Sequence, residues 1–405
     1  MLHNKDMPAM TTKQNDGSKG ELSHLQRLWT KSFILLTAGN LFLFVAFYML
    51  YPTLPLFIKQ IGGNESQAGL AMGAFMLSAV AFRPVVGGLL DRFGRRPFVI
   101  GGLLLFMVTM YLYGWVGGIL MLLGLRVLHG MTWAVSTTST MTAVTDLIPP
   151  PRRGEGVGWF SMSMTVAMAV GPMLGVWVSQ NQSFSALFWV AVALSAAALL
   201  LIVGVPMPFM PQSGRRKIKL LEKPVLPVAA VVFFLFIAYG GITTFVPLFA
   251  DSIRVNSGSF FLTYAATLAL IRPIAGKLSD RRGEAFVIVP SLIVTVGALL
   301  TLGFANGLVG VLVSATLFGI GFGSAQPALQ ASALRLARAD RIGAANATVS
   351  TATDLGIGLG AIALGWVFQY TSYQVLFTVS AVSVMVSFLL FTVFVRRLSE
   401  SRLQS

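Results

Sequence analysis

Twelve stretches of mostly apolar residues follow one another along this chain, joined by short polar connectors. Each has the length of about 20 residues that a bilayer-spanning helix needs. They run roughly 32–58, 67–90, 97–117, 119–145, 156–180 and 184–206, then 224–251, 258–279, 286–305, 308–333, 343–367 and 372–396. Runs such as residues 191–205 are continuously apolar rather than alternating, which argues against barrel strands. Backbone amides in lipid find partners only inside helices, so the expected class is an all-α membrane protein. Composition agrees, because 55 % of the 405 residues are apolar and 11 % charged, against about 25 % charged in a soluble domain.

The formal charge of +15 suggests nucleic acid on a soluble protein, but here the cations sort by side. With the N-terminus inside, all but five of the 29 Lys and Arg fall in the tails and inner loops. Lys59 and Arg254 fall outside, and Arg83, Arg126 and Arg272 lie within spans. This inside-positive pattern predicts a multi-pass protein of the cell (inner or plasma) membrane with both termini cytoplasmic, and no nucleic-acid partner. Residues 1–31 lack the apolar core of a signal peptide and are expected to form a polar cytoplasmic tail. With no cysteine and three histidines lacking HxxxH spacing, neither a disulfide nor a metal site is expected. No cofactor is implied.

The chain repeats itself. RPVVGGLLDRFG from Arg83 matches RPIAGKLSDRRG from Arg272, 189 residues on, pairing Pro84 with Pro273, Gly87 with Gly276, Asp91 with Asp280 and Gly94 with Gly283. The same offset relates Gly130 to Gly319, Arg152 to Arg341, Gly154 to Gly343 and Gly171 to Gly360. Duplication of a six-helix unit follows, giving two pseudo-symmetric bundles at 32–206 and 224–396. The basic segment 207–223 joins them and a short tail, 397–405, ends the chain. Transporters built from two such halves bind substrate between them near the bilayer midplane.

Several motifs carry the chemistry. GGLLDRFGRRP, from Gly87, offers Asp91 at a helix end and the cations Arg92, Arg95 and Arg96, with Gly94 at the turn. Its repeat keeps Gly276, Asp280 and Gly283 but has Glu284 and Ala285 in place of Arg95 and Arg96. LRVLHG places Arg126 and His129 three apart, on one helix face. An arginine at that depth needs a partner or a cavity, and His129 is a group that titrates near neutrality. Gly171-Pro172-x-x-Gly175 combines a kink with two close-packing positions. Asp354 is the one carboxylate deep in a span. It must pair, face water or take a proton, and by rise per residue Arg83 lies about 6 Å away in depth. Arg272 has no matching acid, since the repeat partner of Asp354 is Thr165.

These motifs resemble those of the major facilitator superfamily, over nearly the whole chain after the tail. The loop from Gly87 is similar to that family's inner loop motif between helices two and three. The GPxxG segment, and Pro52-Thr53-Leu54-Pro55 ending helix one, resemble the drug/proton antiporters of twelve helices. The resemblance implies that Asp91 and Arg95 latch the outward-facing state and that Arg126, His129, Asp354 and Arg83 are candidates for proton coupling. It also implies a substrate cavity lined by helices one, four, seven and ten, with Asn40, Tyr48, Trp133, Tyr239 and Gln326 as lining and Arg272 as a candidate anchor. The expected function is proton-coupled efflux of amphipathic small molecules by a monomer embedded in the lipid bilayer. Export of an anionic metabolite or opine-type metallophore, which MGAFMLSAVAFRP from Met72 resembles, is the alternative, and an uptake symporter a third reading. No phosphate loop is present, so ATP is not an obvious fuel, and no clustered catalytic groups are seen; a non-transporting membrane receptor or enzyme is the alternative from a different class.

Overall fold

A computed structural model describes residues 28–149, 152–207, 222–337 and 342–395. The tail 1–27, most of the linker (208–221) and the tail 397–405 lie outside the described residues. Twelve helices among the described residues are long and apolar enough to cross a membrane. In order they are α1 (Lys31–Gln60), α2 (Glu65–Phe93), α3 (Arg96–Leu112), α4 (Ile119–Leu147), α5 (Arg153–Asn181) and α6 (Phe184–Val203). The second six are α7 (Leu226–Ser252), α8 (Ser257–Arg282), α9 (Glu284–Gly303), α10 (Leu308–Leu336), α11 (Ile342–Gln369) and α12 (Tyr373–Leu390).

Local chemistry sets the boundaries. Asn64 and Gln67 form a reciprocal capping box at the start of α2, and Ser183 and Ser372 cap α6 and α12. Gly94 and Gly283 end α2 and α8 at φ +87° and +84°, in left-handed backbone that favours glycine. The outward faces carry apolar side chains such as Leu120, Leu200, Leu270 and Val309, as a lipid-facing surface requires. Exposed Trp115, Trp189, Trp366 and Tyr370 gather at one end of the bundle, and Trp29 and Trp159 at the other, marking two interfacial belts.

Packing obeys the repeat. α1 lies on α5 and α6, α2 on α4, and α3 on α4 and α6; α7 lies on α11 and α12, α8 on α10, and α9 on α10 and α12. The correspondence holds for single contacts. A Cβ at Gly130 would strike the carbonyl of Phe75 and the Ser78 side chain, and one at Gly319 would strike the carbonyl of Tyr264 and the Thr267 side chain. Each pair is 189 residues apart.

The two halves meet through α2 on α11, α5 on α8 and α1 on α7. At the end holding the 61–64 turn the fit is tight. Gly69 and Gly73 lie against the backbone of Ala361 and the side chain of Ile362, and Gly258 lies against Val176. Lys59 pairs with Asp251 across the halves at 2.6 Å, and Tyr373 donates to Glu65 at 3.2 Å. At the opposite end, among the described residues, nothing from a neighbouring helix lies within 4 Å of where a side chain at Gly87, Gly88, Gly158 or Gly276 would begin.

Candidate functional site

The centre of the molecule is built around the two arginines that the repeat relates. Arg83 on α2 reaches across to α11, where a guanidinium nitrogen lies 2.7 Å from Asp354 Oδ2. The contact is close but not directed, since Arg83 Nε and Asp354 Oδ2 meet no partner in hydrogen-bond geometry. The side chains keep 27 % and 12 % exposure, although Arg83 Nε and Asp354 Oδ2 themselves are buried. Arg272 on α8 reaches across to α5 in the symmetric way and donates to Thr165, while its other terminal nitrogen donates to Gln326 Oε1 on α10 at 2.7 Å. Arg272 Nε has no partner. One half therefore supplies its arginine with a carboxylate from across the interface, and the other with a hydroxyl and an amide.

Tyrosines surround these groups. Tyr48, half-buried on α1, lies within electrostatic reach of both Arg272 and Asp354, and Tyr264 and Tyr239 within reach of Arg272. The buried Tyr264 hydroxyl has no partner. Gly171 seats α5 against Tyr48 and the Val45 carbonyl, and Gly175 seats it against the Met49 backbone, so the GPxxG segment packs α5 on α1. Trp133 stacks on Phe47 at 3.8 Å and Tyr239 on Phe322 at 4.7 Å, each only 4 % exposed. Asn40 is buried and donates to Ser163 at 2.8 Å. Of the residues expected to line a cavity, Tyr48, Arg272 and Gln326 keep access, whereas Trp133, Tyr239 and Asn40 pack between helices.

Arg126 and His129 form a separate, closed cluster. Arg126 donates to the Ala71 carbonyl at 3.0 Å and the Tyr113 hydroxyl at 3.3 Å, and stands over the Phe75 ring at 4.3 Å. His129 Nδ1 lies 2.9 Å from that hydroxyl, and its ring sits among Phe47, Phe75, Phe106 and Tyr113. His129 is fully buried, and no carboxylate touches the cluster among the described residues. Tyr113 and Phe75 give sequence patterns no warning of this role, because aromatic residues are common in every span.

The loop motif holds its own bundle together. Arg95 pairs with Asp146 at the end of α4 at 2.9 Å and donates to the Leu90 carbonyl at 3.1 Å. Arg96 donates to the Val203 carbonyl of α6 at 3.4 Å, and the Arg92 guanidinium lies 5.1 Å from the Phe93 ring. The side chains of Asp91 and Asp280 lie outside the described residues. In the second copy, where Glu284 stands in place of Arg95, Glu284 pairs with Arg335 at 2.6 Å, and Arg335 is the repeat counterpart of Asp146. The contact survives with its charges exchanged. Among the described residues no group of three or more His, Asp or Glu side chains is placed to hold a metal.

Comparison with known proteins agrees with this architecture. The chain is 25 % identical over 379 residues to the staphylopine export protein of Staphylococcus aureus, covering 87 % of this chain and 94 % of the relative. It is 26 % identical over 347 residues to the quinolone resistance protein NorA of the same species, covering 82 % and 88 %. The crystal structure of the nucleoside transporter NupG superposes with a TM-score of 0.68 at 16 % identity, over 90 % of this chain and 99 % of that one, which establishes the shared fold. The model of the Major Facilitator Superfamily matches residues 36–345 and 256–404. With twelve spans, two bundles related by a 189-residue repeat and polar groups concentrated where they meet, this chain is a multi-pass membrane transporter and belongs to the major facilitator superfamily.

Proposed function

We propose that the protein exports an amphipathic small molecule across the cell membrane in exchange for protons, by alternating access, as a monomer with both termini in the cytoplasm. One observation carries this reading: the carboxylate deep in a span, Asp354, is held across the two halves by Arg83 at 2.7 Å. A proton arriving at Asp354 neutralises the acid and releases Arg83, which loosens α2 from α11 midway along their contact. Loss of the proton restores the pair. A charge that changes partner in this way links protonation to the separation of the halves.

The inside-positive rule puts the 61–64 end outside, so the tight end faces outward and the conformation is inward-facing. Asp91 and Arg95 belong to the closure of the opposite end. The GPxxG segment packs α5 onto α1 within the first half and so holds the two helices that meet α8 and α7 across the interface. Export is favoured by the names of the relatives, one an export protein and one a resistance protein. The test is flux in liposomes loaded with any compound that raises the melting temperature of the purified protein. Flux that ignores an imposed pH gradient would remove the coupling.

A further inference from the structure

Three arginines stand inside the spans of this transporter, and they are not equally satisfied. Arg126 is enclosed by a carbonyl, a hydroxyl and an aromatic face. Arg83 has the Asp354 carboxylate. Arg272 occupies the symmetric position to Arg83, yet where the symmetric carboxylate should stand it finds Thr165, a neutral hydroxyl, and turns its other nitrogen to Gln326. Its Nε is unpartnered, as is the nearby Tyr264 hydroxyl. A guanidinium in a low-dielectric interior without a counter-charge is costly, and among the described residues no acid is in contact with it. The duplicated frame shows what completes such a site, because in the other half the same arginine is completed by a carboxylate.

We infer that the missing carboxylate belongs to the cargo: the transported molecule carries a carboxylate group that pairs with Arg272, displacing its bonds to Thr165 and Gln326. The planar guanidinium suits a two-oxygen acceptor, and Tyr48, half-buried on α1 within electrostatic reach of Arg272, offers the rest of the molecule an aromatic face. This rests on the transport reading above but adds the chemistry of the substrate. Arg272 is then a binding residue, whereas the Arg83–Asp354 pair serves the proton.

The test uses purified full-length protein and a panel of N-acylated aromatic and aliphatic amino acids, each as the free acid and as the primary amide. Melting temperature and equilibrium binding are measured for each. The expected result is acids that bind at least ~10-fold more tightly than their amides, the value of one charge-assisted contact. Arg272→Gln should abolish the preference and Arg272→Lys should keep part of it. Thr165→Asp is the decisive variant. It builds the counterpart of Asp354 into the first half, so it should keep or raise the melting temperature while losing the acids. Asp354→Asn should still bind them, which separates a failure of proton coupling from a failure of this inference. Amides binding as well as acids, no acid binding at all, or acids bound undiminished by Thr165→Asp would each overturn it.

Discussion

Replacing Asp354 by Asn removes one charge and little volume, and its consequences can be worked from the geometry. At 2.7 Å and an effective dielectric of about 20, the attraction to Arg83 is about 6 kcal/mol before desolvation. Desolvating two ions offsets most of this, and removing one partner of a fully enclosed pair costs ~3–5 kcal/mol. Here Arg83 keeps 27 % exposure, so its orphaned guanidinium can turn to water, and the expected loss of stability is nearer ~1–2 kcal/mol. The variant should fold, and its affinity for cargo should stay within about threefold, a shift below ~1 kcal/mol. Uphill transport driven by a pH gradient should fall to background, because no group remains to take the proton, while downhill exchange continues. Paired measurements in liposomes, with and without the gradient, check this. The double variant Arg83→Gln/Asp354→Asn should recover much of the lost stability without recovering uphill transport. Accumulation against a gradient at the native rate in Asp354→Asn would refute the reasoning, leaving the pair as a static lock.

Other expectations follow from particular contacts. A Cβ at Gly175 would strike the Met49 carbonyl oxygen, where backbone cannot yield, so Gly175→Ala should cost ~1–3 kcal/mol of stability in a denaturation series. Gly158→Ala, in open surroundings, is the control, expected within ~0.5 kcal/mol of native. His129→Phe should retain gradient-driven flux, since the repeat places Phe318 at the equivalent position and the histidine is caged by aromatic rings; loss of coupling in a folded variant would move the proton site there. Because the chain has no cysteine, Lys59→Cys/Asp251→Cys offers a clean pair for a short bifunctional maleimide. Cross-linking should arrest flux by holding the 61–64 end shut, and unchanged flux after complete cross-linking would show that this end does not open.

The fold was legible because its causes are repetitive. Apolar length fixes each span, and one offset fixes how spans pair, so Gly130 and Gly319 meet the same elements in both halves. The Arg83–Asp354 contact was also within reach, because a lone acid deep in a span must find a cation. What escaped depends on side-chain direction. Trp133 and Tyr239 share their helices with polar residues, and only packing shows that their rings stack inward. Arg95 reads as part of a gate from its motif, and its partner here, Asp146 on α4 of the same bundle, is one that sequence spacing does not single out, because a long arginine reaches many acids. The exchange that preserves this contact as Glu284–Arg335 needed both ends of the pair to be carried across the repeat. Substituting at one end alone looked like a loss.

The places where the two copies differ are more informative than those where they agree. Glycines, turns and helix contacts are shared, and they build the frame. At the loop the difference is a reversal of charge that leaves the contact intact, so the frame there holds with either polarity. At the centre the difference is not compensated: Asp354 faces Arg83, but Thr165 faces Arg272. Two equal centres would bind the same ligand twice or none, and neither couples one species to another. In the exchange proposed above, one arginine has a resident counter-charge that a proton can neutralise, and the other a counter-charge that comes and goes with the substrate. A single carboxylate present in one half and replaced by a hydroxyl in the other produces that arrangement without any new element of structure.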